Sequence, residues 1–161
     1  MRLSVDDAFA KYGDRLFAAA FSVCRDPTDA DDVTQDTFLR YHSRCDEFES
    51  EEHLKAWLLR VAINRARDLT TGFWRKHTAA LEDYMDSLEF AEPEDGALMR
   101  AVLELPEKYR APIHLFYFED YSIEEISALL GRRPGTVKSQ LSRARALLKT
   151  ALKEDWNDDE S

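Results

Sequence analysis

A chain of 161 residues, 44% hydrophobic with five Gly and five Pro, has room for one ordinary domain or two small helical ones and is not of low complexity. No apolar run approaches the roughly 20 residues of a membrane span, and MRLSVDD lacks the apolar core of a secretory signal, so a cytoplasmic protein without membrane insertion is expected. The net charge of −10 sets the chain against bulk DNA, and two distant cysteines, Cys24 and Cys45, have no metal-like spacing and read as thiols in a reducing compartment.

Ser4 with Asp7 marks a helix start, and Phe9, Tyr12, Leu16, Phe17, Ala20 and Val23 form its apolar stripe. Asp26-Pro27-Thr28 breaks that helix and starts a second, about residues 29–43, burying Ala30, Val33, Thr37, Phe38 and Tyr41. The other face shows Asp31, Asp32, Gln35, Asp36, Leu39 and Arg40. Acids in a first turn favour the helix dipole, but the dipole does not account for Asp36 or for an outward Leu39. A solvated face and a protein docking surface both fit that pattern.

A polar connection, residues 44–53, leads to a third helix over about 52–70. Leu54, Trp57, Leu58, Val61, Ala62, Arg65 and Leu69 are expected along one side, with Lys55, Arg60, Asn64, Arg67 and Asp68 on the others and Gly72 as the stop. Phe73-Trp74-Arg75-Lys76 then sets two aromatics beside two cations. Trp57, Phe73 and Trp74 read either as core residues or as stacking surfaces for unpaired bases.

From Thr78 to Met99 there are seven acids and no Lys or Arg, which reads as a linker over 78–95 with a short helix at Ala80–Phe90. A helix over Ala97–Leu105 is expected to end at Pro106. The next, about Glu107–Phe118, buries Tyr109, Ile113 and Phe116 or Tyr117, with a kink or late start at Pro112. Ser122 and Glu125 form a capping box for a helix with Ile123, Ile126 and Leu130 inside, and Gly131 closes it. Arg132-Arg133-Pro134-Gly135 makes a turn, and Thr136 opens a helix with a buried line at Val137, Leu141, Ala144 and Leu148. Residues 154–161 form an acidic tail, expected to be frayed.

No strand pattern competes anywhere, so the fold expected is all-α: two small helical domains, 1–77 and 96–153, joined by the acidic linker. The pair of helices with a Gly-containing turn is a helix-turn-helix, whose second helix enters the major groove. Arg132–Lys153 holds seven Lys or Arg and no acid, so a net charge of −10 leaves the remainder at −17. Thr136, Lys138, Ser139, Ser142 and Arg143 lie off the apolar line, where short donors and cations suit base edges and phosphates. DNA binding is expected, weak for the chain alone and strengthened by a larger partner. His42, His53, His77 and His114 are scattered, and no nucleophile motif or phosphate-binding loop is present, so no catalytic residue, metal or cofactor is expected.

Three blocks, DADDVTQDTFLR (29–40), FESEEHLKAWLLRVAINRARD (48–68) and LPEKYRAPIHLFYFEDYSIEEISALLGRRPGTVKSQLSRARALL (105–148), make the chain similar to the extracytoplasmic-function (ECF) group of bacterial sigma-70 factors. The resemblance implies a transcription initiation factor that needs no catalytic residues of its own. It implies docking of Asp32, Gln35, Asp36 and Leu39 on the β′ clamp helices of core RNA polymerase, with further contact to the β subunit. It implies reading of melted −10 promoter DNA by Phe48, Arg60, Asn64, Arg65 and Arg67, with residues 48–52 as the specificity loop. The −35 duplex falls to Lys138, Ser139, Ser142 and Arg143, with Arg133 and Thr136 on phosphates, and an anti-sigma factor is implied as regulator. Thr70-Thr71-Gly72-Phe73 and Gln140 depart from the family pattern, which has Arg at such places. A sigma mimic that captures an anti-sigma factor and a dimeric helix-turn-helix regulator are the rival readings; the first has no use for Lys138 and Arg143, and the second leaves the acidic helix idle.

Overall fold

Helix starts in the first unit are set by side-chain oxygens. The structure is a computed structural model and describes residues 1–44, 47–73, 85 and 93–160. The Ser4 hydroxyl accepts the Asp7 N–H at 3.1 Å and opens α1, Val5–Cys24. Arg25 ends α1 in the left-handed region at φ 61°, and its N–H donates to the Phe21 carbonyl. Asp26 then caps α2, Pro27–Ser43, by accepting the Asp29 N–H at 2.8 Å, with Pro27 in the first turn where its missing N–H costs nothing. Two residues thus reverse the chain. The Ser50 hydroxyl accepts the His53 N–H at 3.1 Å at the start of α3, Glu51–Phe73.

The three helices pack together around Tyr12, Leu16, Ala20, Val23, Ala30, Val33, Phe38, Tyr41, Leu54 and Leu58. Thr34 and Thr37, buried on α2, return their hydroxyl protons to the Ala30 and Val33 carbonyls, each at 2.8 Å, so no donor is stranded. Two expected stripes are corrected. Phe9 is 53% exposed, its ring edge-on to Phe38 at 5.1 Å, while Ala8, Ala19 and Phe21 take inward places on α1. On α3 the buried side is Leu54, Leu58, Leu59, Ala62, Ile63 and Ala66. Trp57, Val61 and Leu69 are half-buried and Arg65 is exposed. Apolar residues surround much of this helix, so periodicity left its rotation open and packing against α1 and α2 decided it. Gly72 does not stop α3, which continues to Phe73.

The second unit comprises α4 (Pro93–Glu104), α5 (Glu107–Tyr117), α6 (Ile123–Leu130) and α7 (Pro134–Glu160). Most of the linker 78–95, with the short helix expected at Ala80–Phe90 apart from Met85, lies outside the described residues. Helix α4 begins at Pro93 rather than Ala97. Helix α7 begins at Pro134 rather than Thr136, with the Val137 N–H bonded to the Arg133 carbonyl at 3.0 Å. It continues to Glu160, so the segment expected as a frayed tail is helical backbone. Contacts divide the chain into Met1–Leu81 and Glu82–Ser161, and the described residues are all-α.

Pro112 sits inside α5 without ending it. Tyr109 and Ile113 are buried as expected, whereas Phe116 is half-buried and Tyr117 exposed. His114 is 2% exposed, stacked on Phe118 at 5.0 Å, with no hydrogen-bond partner for either ring nitrogen. Burial lowers its pKa from 6.5 to about 4. The unfolded chain therefore takes up this proton first, and His114 favours folding fully above about pH 6.5, an advantage lost as pH falls towards 4. Acidification through that window should cost the second unit on the order of 3 kcal/mol more in wild type than in His114→Leu, read from urea midpoints of α5 and α7 amide NMR signals.

Candidate nucleic-acid and docking surfaces

Burial of Ala30, Val33, Thr37, Phe38 and Tyr41 turns the remaining face of α2 outward, and Asp32, Gln35, Asp36 and Leu39 fall together on it. Leu39 is 65% exposed, an apolar side chain held out among acids. The Gln35 amide donates to Asp31 at 3.0 Å, and Arg40 reaches Asp36 at 3.3 Å along the same helix. Arg65 of α3 also approaches Asp36, at 3.9 Å.

That approach separates Arg65 from the other cations of α3. At 100° per residue, Arg60, Asn64 and Arg67 fall within roughly 60° of one another, whereas Arg65 lies about 140° from Arg60, on the α2 side. The structure thus groups Arg60, Asn64 and Arg67 and places Arg65 at the seam between α3 and the acidic face. Phe48 is 3% exposed and offers no open face to a base. Its ring packs against Tyr41 at 6.0 Å, Trp57 at 5.7 Å and His53 at 5.3 Å, and Arg44 lies 5.0 Å over Trp57. Phe48 anchors the loop, among whose described residues Glu47, Glu49 and Ser50 are exposed; Glu51 and Glu52, expected in the specificity loop, instead open α3. The family resemblance had put Phe48 among the −10 readers, and nothing local in the sequence marks the aromatic cluster that buries it.

The helix-turn-helix forms as its local chemistry dictates. Ser122 and Glu125 exchange both capping-box hydrogen bonds, at 3.1 and 3.0 Å. Gly131 closes α6 at φ 67°, where a Cβ would be strained. The Ser127 hydroxyl donates to the Arg132 carbonyl and pins the turn. With Val137, Leu141, Ala144 and Leu148 buried, Ser139, Ser142 and Arg143 point away from the core. A cleft of about 530 Å³ is lined by Arg133, Thr136, Ser139 and Arg143 together with Lys108, Tyr109, Gly135 and Gln140. Lys138 and Ser142 are exposed outside it.

Lys108, Tyr109 and Arg132 were not among the expected site residues. Lys108 and Tyr109 belong to α5, some 25 residues upstream, and nothing local in the sequence signals their return to the start of α7. Arg132 has a physical signature. Pro112 has no N–H, so the Lys108 carbonyl four residues earlier loses its helical donor. Arg132 Nη1 supplies one at 2.9 Å and donates also to Gln140 Oε1 at 2.9 Å, tying α5 to α7 across the cleft. Arg145, although in the basic block, donates to the Tyr117 hydroxyl at 3.1 Å and stacks on Phe116 at 4.6 Å. Cys24 is buried, and desolvation raises its thiol pKa to about 12. Among the described residues no group of His, Cys, Asp and Glu has metal-binding geometry, and no helix is long and apolar enough to cross a membrane.

The chain matches the Sigma-70 region 2 family over residues 8–79 and the Sigma-70, region 4 family over 95–148. It is 33% identical over 153 residues to the ECF RNA polymerase sigma factor SigM of Mycobacterium tuberculosis, covering 94% of this chain and 78% of that one. It is 34% identical over 146 residues to the RNA polymerase sigma-E factor of Streptomyces coelicolor, covering 86% and 80%. Among solved structures it resembles the sigma factor RpoE of Bartonella quintana, crystallised with the anti-sigma factor NepR, with TM-score 0.71, 26% identity and coverage of 92% and 96%. It also resembles CnrH in complex with the cytosolic domain of CnrY, with TM-score 0.66, 29% identity and coverage of 94% and 88%. Two all-α units that match both conserved sigma regions define a factor of transcription initiation. The chain belongs to the sigma-70 family, in its ECF group. A dimeric regulator explains only the second half of the chain and is set aside.

Replacing Arg132 with Ala should cost the second unit about 1–2 kcal/mol, because two hydrogen bonds go and the Lys108 carbonyl is left to water. Arg132→Lys should recover only part, since a shorter ammonium on a flexible stem is not pre-oriented towards both acceptors as the planar guanidinium Nη1 is. Urea midpoints of the three proteins check both statements.

Proposed function

We propose that this ECF sigma factor docks on core RNA polymerase through the outer face of α2 and directs it to promoters read at two elements. Asp32, Gln35, Asp36 and Leu39 form the docking surface. A desolvated Leu39 supplies the apolar anchor, and the acids select a basic partner surface and steer its approach. This assigns the outward Leu39 a purpose that helix-dipole chemistry does not give it.

Melted −10 DNA is read by Arg60, Asn64 and Arg67 with the loop of residues 47–50. The cations hold the strand backbone, Asn64 offers both a donor and an acceptor to a base edge, and the loop shapes the pocket. Arg65, close to Asp36, links this surface to the docking face. The −35 duplex is read by α7, with Ser139, Ser142 and Arg143 towards the major groove and Arg133, Thr136, Lys138 and Lys108 on its phosphates. The observation that carries the reading is the basic block: seven cations and no acid in a chain of net charge −10, folded so that Arg133, Lys138 and Arg143 are exposed.

The reading places the protein in the cytoplasm with polymerase and assigns it no catalytic step. An anti-sigma protein is its proposed regulator, by analogy with the RpoE complex.

Leu39→Ala should weaken binding to core polymerase about tenfold, with little change in stability because the side chain is already exposed; fluorescence anisotropy with core enzyme measures the first and thermal melting the second. Arg143→Ala should lower transcription from promoters with an intact −35 element about tenfold or more while core affinity stays constant. Equal loss of transcription and core affinity would contradict the division of roles. In vitro transcription from a promoter pool, with core polymerase with and without this protein, tests the whole reading, which fails if no new start sites emerge.

A further inference from the structure

The first three residues are fastened to the loop that precedes α3. The Met1 nitrogen donates to the Phe48 carbonyl at 2.9 Å, and the Phe48 N–H donates to the Met1 carbonyl at 3.0 Å. This reciprocal pair has the form of a single antiparallel bridge. Arg2 donates to the Tyr41 carbonyl at 2.8 Å, and its guanidinium lies 4.7 Å over the Tyr41 ring. The Tyr41 hydroxyl in turn donates to the Leu3 carbonyl at 2.6 Å. Three consecutive residues therefore grip two anchors, Tyr41 near the end of α2 and Phe48 in the loop.

These anchors touch each other. Tyr41 is fully buried, and its ring meets Phe48 at 6.0 Å and Trp57 at 6.4 Å. On the far side of the loop, the Glu49 N–H donates to His53 Nδ1 at 3.2 Å. The loop backbone is thus held from the N-terminal segment on one side and from α3 on the other. Simple tethering of a chain end would account for one or two of these bonds. It does not account for a segment that uses both backbone groups of Phe48, because α1 is already capped independently by Ser4.

We propose that Met1–Leu3 are positioning residues for −10 recognition, holding loop 47–50 so that Glu49 and Ser50 are presented beside α3 in one conformation. This rests on the assignment of that loop to the −10 element. A loop ordered before binding loses less entropy when a base enters and discriminates more sharply between bases than a loop that must order itself around each. Arg2 and the backbone of Met1 need touch no DNA to have this effect.

The test uses the full chain with core polymerase, transcribing a library randomised at the −10 element with a fixed −35 element. Four variants are compared: Arg2→Ala, Arg2→Lys, Tyr41→Phe (which removes only the donor to Leu3) and Glu49→Ala in the loop itself. Arg2→Ala and Tyr41→Phe should speed exchange of the Phe48 amide. Both should also flatten base preference several-fold at the positions where Glu49→Ala alters it, with −35 dependence and core affinity unchanged and the melting temperature lowered by only a few degrees. Arg2→Lys should restore much of the preference, because it keeps a cation and a donor over Tyr41. If Glu49→Ala shifts −10 preference while Arg2→Ala and Tyr41→Phe leave it intact, the brace is purely structural and the inference is overturned. If Glu49→Ala shifts nothing at −10, the loop assignment itself fails, and the inference with it. A uniform loss of transcription at all promoters, accompanied by a lower melting temperature, also overturns it.

Discussion

The apolar line Val137, Leu141, Ala144 and Leu148 holds α7 against α4, α5 and α6, and that burial decides which cations of the basic block face outward. A helix has one buried side, so fixing it fixes the other. Ser139, Ser142 and Arg143 are turned out because their neighbours are turned in. The same packing brings Lys108 and Tyr109 of α5 to the flank of α7 and makes a cleft from residues of both elements. Arg132 completes the arrangement by bonding a carbonyl that Pro112 cannot serve, so a local defect in α5 becomes a tie to α7.

Charge is sorted between the surfaces as firmly as shape is. Acids dominate the outer face of α2 and the segment before α4, and cations dominate the last helix up to Lys153. The acidic excess opposes nonspecific adhesion to DNA, because phosphate contacts supply most of that affinity. A chain so composed gains from a partner that holds it at the promoter. Two buried groups are held neutral by desolvation: His114, whose ring nitrogens have no hydrogen-bond partners, and Cys24, which becomes an inert thiol.

In the first unit the surfaces are closely coupled. One side of α2 builds the core and the other carries Asp36, which also approaches Arg65 of α3. Tyr41, at the far end of α2, belongs at once to the core, to the aromatic cluster around Phe48 and to the grip of the N-terminal residues. The outer face of α2, the outer face of α3 and the described part of the loop before α3 are therefore mounted on one three-helix core.

Local chemistry was readable directly. The caps at Ser4, Asp26 and Ser122, the stop at Gly131, the all-α class and the apolar lines of α2 and α7 follow from hydrogen-bond geometry and periodicity, which act over a few residues. The acidic face of α2 and the exposed residues of α7 were legible for the same reason, each being the complement of a clean stripe. Only tertiary packing decided the rest. It chose the rotation of α3, whose apolar residues nearly encircle it, and so placed Arg65 towards Asp36 rather than beside Arg60. It buried Phe48, left Phe9 half outside, and joined Met1 to residue 48 and Lys108 to the start of α7. These are contacts between residues distant in the chain, and no periodic pattern in a single helix encodes which partner will fill the space opposite it.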